Sequence, residues 1–93
     1  MPQSTSLRLR WSHTWPDKGA DFSCRDHDGD SVGRIYKMTS STMDNYRWFW
    51  AAHGRLPGSS RSANAHGHAP TKLAAAEAVE AAWFEAIEEI TSA

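Results

Sequence analysis

The residues with the clearest capacity for chemistry are three alternating aspartates, Asp26, Asp28 and Asp30, in the stretch DHDGDSVGRIYK (26–37). Carboxylates spaced one residue apart are how a calcium-binding loop begins, because that hard cation collects oxygen ligands. Such a loop continues with glycine at its sixth position and a bidentate glutamate at its twelfth. Counted from Asp26, those positions hold Ser31 and Lys37, a cation where the decisive carboxylate belongs. The same residues read better as a turn. Asp28-Gly29 between two strand-like runs is a strong hairpin signal, since glycine accepts the positive φ such turns require. On this reading the aspartates solvate a loop.

The histidines are the next candidates. His66 and His68 lie two apart, so in an extended chain they point to one side. With His53, His13 and Cys24 they are the raw material of a zinc or nickel site. A structural zinc site wants four ligands in close pairs, and the chain holds no CxxC and no HxxxH. The expectation is therefore no metal and no cofactor. Cys24 beside a histidine would make a nucleophile pair, yet it falls in line with Phe22, on the side expected to be buried, where a thiol behaves as a small hydrophobe. Ser59, Ser60 and Ser62 lack the context of a nucleophile elbow, and no glycine-rich phosphate loop is present. The chain does not read as an enzyme.

Stepping from residues to the elements that must carry them, period-two alternation marks the strands. In LRLRWSHT (7–14), Leu7, Leu9 and Trp11 oppose Arg8, Arg10 and Ser12. DFSCR (21–25) alternates again, VGRIYKM (32–38) is a third strand, and the aromatic-rich YRWFWAAH (46–53) a fourth. WPDKGA (15–20) and TSSTMDN (39–45) read as connections. GRLPGSSRSANAHG (54–67) reads as a flexible loop, with His66 to Ala69 able to add a short edge strand. From Lys72 the period changes to that of a helix, with Thr71 as its N-cap after Pro70. Ala76, Val79, Trp83, Ala86, Ile87 and Ile90 form one stripe; Glu77, Glu85, Glu88 and Glu89 lie off it and Glu80 at its margin.

The predicted fold is α+β, a four-stranded antiparallel meander (three to five strands) with one long C-terminal helix on one face. Residues 1–6 are expected to be a disordered tail and 7–93 a single domain, which is what 93 residues allow. Trp11, Phe22, Ile35, Val79, Trp83 and Ile87 are the expected core, with Trp48 and Trp50 adding to it. One cysteine, no secretory signal and no apolar span point to a cytoplasmic protein without a membrane partner.

Charge is unevenly distributed. Before Lys72, nine Lys and Arg meet six Asp (+3); from Lys72 on, one Lys meets five Glu (−4), giving the net −1. If the helix covers one face, the other presents Arg8, Arg10 and Arg25, joined by Arg34 with Tyr36 and Arg47 with Phe49. The leading reading is a small non-enzymatic binding or adaptor domain that meets a protein partner through this exposed sheet face. The alternatives are a sheet-face nucleic-acid binder, with arginines on phosphates and aromatics on bases, and a protein that pairs face to face as a homodimer, the chain otherwise being a monomer. Set against all three is the plain fact that one face of a small sheet meets solvent, and arginine stems cover apolar surface well.

VGRIY (32–36), YRWFW (46–50) and HGHAPTKLAAAEAVEAAW (66–83) together resemble a family of short bacterial proteins of unknown function, over about half the chain. The shared residues look structural, and the resemblance carries over no functional ones. GHAPTKLAAAEA is more loosely similar to the helix entry of plant AP2 DNA-binding domains and of the arm-binding domains of phage integrases. It lacks their early glutamate and leads into a long acidic helix. Those domains read DNA with the sheet face, so this similarity implies DNA binding as a function to weigh.

Overall fold

A computed structural model describes residues 7–15, 19–38 and 47–92. The expected tail at 1–6, the middle of the first connection at 16–18, all of the second at 39–45 and Tyr46 of the expected fourth strand lie outside the described residues. Five strands form one open antiparallel sheet in chain order: β1 (Arg10–His13), β2 (Asp21–Arg25), β3 (Ser31–Lys37), β4 (Trp48–Ala52) and β5 (Ala65–Ala69). One helix, α1 (Lys72–Ser92), packs on β3, β4 and β5. The fold is α+β, and the edge strand anticipated near His66 completes the sheet.

The helix starts where capping chemistry places it. Thr71 Oγ1 accepts the Ala74 N–H at 3.0 Å, satisfying one of the donors a first turn leaves open. Its buried face runs through Ala75, Ala76, Val79 and Trp83, against Cys24, Val32, Ile35, Ala52 and Ala69 of the sheet. Trp11, Phe22, Trp48, Trp50 and Ile87 are half-buried and pack around that centre. Close approach of helix to sheet depends on Gly33. A Cβ there would stand 2.5 Å from Val79 Cγ1 and 3.0 Å from Cys24 Sγ.

Three expectations are corrected. First, the strand expected over 7–14 is shorter. The chain leaves the ladder at Leu9, where the Arg8 and Leu9 N–H groups turn to Glu80 of α1 instead of to a neighbouring strand. Second, the stretch 54–67 is not a free loop. Arg55 pairs with Ser62, the Leu56 N–H bonds to the Arg61 carbonyl at 2.9 Å, and Leu56 and Ala63 are buried. An apolar anchor and a left-handed Gly58 (φ 69°) fold this segment into a small hairpin against the core.

Third, the β2–β3 turn is centred one residue earlier than Asp28-Gly29. The Gly29 N–H reaches the Asp26 carbonyl, which makes His27 and Asp28 the central pair, and Gly29 (φ 89°) follows in the left-handed region. Asp26 Oδ1 accepts the Asp28 and Asp30 N–H groups at 3.0 Å each. The first aspartate of the supposed cation loop is thus engaged in holding the turn.

Candidate functional site: the open face of the sheet

Because α1 covers one side, alternation assigns the other side strand by strand. Register brings Asp21, Tyr36, Phe49 and His68 into one row across β2 to β5. A second row runs Ser12, Ser23, Arg34, Ala51 and His66 from β1 to β5. Arg10 and Arg25 face each other at one end of β1 and β2.

The aromatic row is continuous. Ring centroids of Tyr36 and Phe49 are 5.1 Å apart, Phe49 and His68 meet edge-on at 5.6 Å, and Phe49 and His66 stack at 6.2 Å. Tyr36 and Phe49 are half-buried while both histidines are exposed. His66 and His68 do point to one side, as their spacing predicts. What lies between them across the strand pair is the Phe49 ring. Among the described residues no three or more His, Cys, Asp or Glu side chains are grouped to hold a metal ion.

Arg34 stands beside this row, its guanidinium 5.3 Å from the Tyr36 ring centre. It makes a two-pronged ion pair with Asp21 on the neighbouring strand, Nε to Oδ1 at 2.9 Å and Nη2 to Oδ2. The Arg34 guanidinium holds the Asp21 carboxyl below its ordinary value, and the Thr14 and Trp15 side chains add to this against the cost of burial. The Arg34 pKa is raised in turn, first by the hydrogen bond to Asp21. Arg25 donates to the Gly29 carbonyl at 2.8 Å, tying it to the turn. Its position opposite Arg10 places two like charges side by side, an arrangement that is unfavourable unless an anion joins them.

Of the six residues expected on this face, Arg10, Arg25, Arg34 and Tyr36 are there. Arg47 is exposed immediately before β4, two residues from Phe49. Arg8 is not on this face. Its guanidinium lies over the Phe84 ring of α1, 3.9 Å from the ring centre, because Glu80 has drawn its backbone to the helix. His66 and His68, weighed above as a metal pair and set aside, join the aromatic row through Phe49. Their period-two spacing was the signal, and it needed the β4–β5 register to be placed.

Cys24 is fully buried on the opposite face, its thiol pushed up to about 12, chiefly by burial and then by the charge of Glu80. A thiol that stays protonated at neutral pH is a poor nucleophile. Compared with known proteins, the chain matches no family, no curated protein and no solved structure, so its function has to be argued from this geometry.

Proposed function

We propose that this protein is a small non-enzymatic binding module whose working surface is the open face of its sheet, and that single-stranded nucleic acid is the ligand this face suits. The observation that carries the reading is the row Tyr36–Phe49–His68, with His66 beside it, set among Arg10, Arg25 and Arg34. Flat rings in a row offer stacking platforms for unpaired bases, and arginines alongside meet phosphates. A protein partner remains the competing reading, since the same rings would anchor an interface. The segregation of charge weighs for the polyanion: the glutamates all lie on α1, and Asp21 is the one carboxylate in the two cross-strand rows of this face. The setting we infer is cytoplasmic, in keeping with a single, buried cysteine.

The test is fluorescence anisotropy with a labelled oligothymidine of about twelve nucleotides and a duplex of similar length, at roughly 50 and 200 mM salt. The expected result is saturable binding of the single strand, weaker for the duplex and falling with salt. Phe49→Ala and Tyr36→Ala should each weaken binding by about 5- to 150-fold, the range of one lost base stack. Absence of binding at the lower salt overturns the nucleic-acid reading. Concentration-dependent dimerisation that Phe49→Ala abolishes would assign the face to a second copy.

A further inference from the structure

A second surface, remote from the open sheet face, also has the form of a site. On the helix side, between β1, β2 and the first turns of α1, lies a cleft of about 360 Å³. Its floor is Trp11, Phe22 and Ile35. Leu7 and Leu73 stand at its rim, and they are two of the three most exposed large apolar side chains among the described residues. The indole N–H of Trp11 is already given to Glu80 Oε2 at 2.8 Å. The floor therefore presents carbon surface and asks for an occupant without polar groups in its body.

The rim is different. Its polar side chains are Lys72 and His13, both able to donate, and no described carboxylate lines the cleft. Lys72 Nζ stands 4.6 Å from the centre of the Phe22 ring, and the His13 ring lies 4.6 Å from the same ring. The Lys72 ammonium thus sits on the apolar wall with a π-face as its neighbour. A cation at the mouth of a carbon-lined cleft complements one kind of ligand, a flat apolar body ending in an anion.

Size separates this occupant from a protein. The cleft falls at the lower end of small-molecule sites, which span roughly 300–1,000 Å³. A stable protein interface covers about 800 Å² on each partner, far more than two exposed leucines provide. We infer that this cleft binds a small aromatic carboxylate, its ring against Phe22 and Trp11 and its carboxylate beside Lys72. This site is independent of the sheet-face reading.

The probe is 2-naphthoate, with the uncharged 2-naphthamide as its control, titrated into isotopically labelled protein and followed by amide NMR shifts. Naphthoate should bind saturably with Kd roughly 0.1–1 mM, as befits a ligand of its size. The largest shifts should fall at Trp11, His13, Phe22 and Leu73. Naphthamide should bind about two- to fivefold more weakly, the scale of one exposed ion pair. Lys72→Gln, at an exposed position, should bring naphthoate down to the naphthamide level and leave naphthamide unchanged. Lack of saturation by either probe, shifts centred on Tyr36 and Phe49, or equal affinity of Lys72→Gln for naphthoate would each overturn the assignment. Self-association of the ligand-free protein that buries Leu7 and Leu73 would give the cleft to a second copy and overturn it as well.

Discussion

Asp21 governs how much of Arg34 is available to a ligand. The pair is two-pronged, and the carboxyl lies below its ordinary value because the arginine stabilises its charged form. A lowered carboxyl contributes stability above its ordinary value of 3.8, and that contribution is lost as pH falls through the lowered one. Asp21→Asn should therefore flatten the acid limb of a urea-midpoint profile below about pH 4. It should also strengthen oligothymidine binding by about two- to fivefold, because the guanidinium is freed for phosphate. Cys24 works in the opposite sense. Its thiol is raised from 9.0 to about 12, so its contribution is complete below 9.0 and is lost as pH rises towards 12. Cys24→Ala should remove that alkaline loss, and the native thiol should resist alkylation until the protein unfolds. At this scale the sequence was informative: alternation alone paired Arg34 with Tyr36 and turned Cys24 inward. What alternation does not contain is the partner across the strand, so the Asp21–Arg34 pair and the placement of Phe49 between the histidines emerge only with register.

Among the elements, α1 holds more than its apolar stripe. Glu80 is buried, 6% exposed, and accepts three hydrogen bonds: Arg8 N–H on Oε1, and Leu9 N–H and the Trp11 indole N–H on Oε2. These fix the chain ahead of β1 against the middle of the helix. Glu80→Gln keeps the shape but replaces one acceptor oxygen by an NH₂ group that must face a donor. It should cost about 1.5–3 kcal/mol of stability, read by urea unfolding. The helical period placed Glu80 at the margin of the stripe and could go no further, since its partners lie about seventy positions away. The stretch 54–67, expected as a flexible loop, departs from its sequence pattern for a related reason. Its glycines, serines and proline are turn formers, and one leucine among them was enough to fold it inward.

For the molecule as a whole, the five helix glutamates and the sheet arginines make it electrically two-sided despite a net charge of −1. Salt limits how far each side is felt, to about 8 Å at physiological strength. Replacing Glu77, Glu85 and Glu89 by Gln should thus change oligothymidine affinity by less than about twofold at that salt. Arg25→Gln, on the face itself, should weaken it several-fold and lower the salt slope by about 0.7, the share of one phosphate contact. Strand order, helix and buried face were legible because they follow from period and propensity; the two-sidedness needed only the added knowledge of which face α1 covers. The Glu80 clamp has a consequence in time as well as in space. It joins residues 8 and 80, a separation of 72, and such closures are formed late because chain entropy must be spent before the contact returns anything. A chain synthesised from its N-terminus makes β1 well before α1, and the carboxylate that anchors the approach to β1 follows Arg8 by 72 residues. Until Glu80 arrives, β1 has its pairing with β2 but not its tie to the helix.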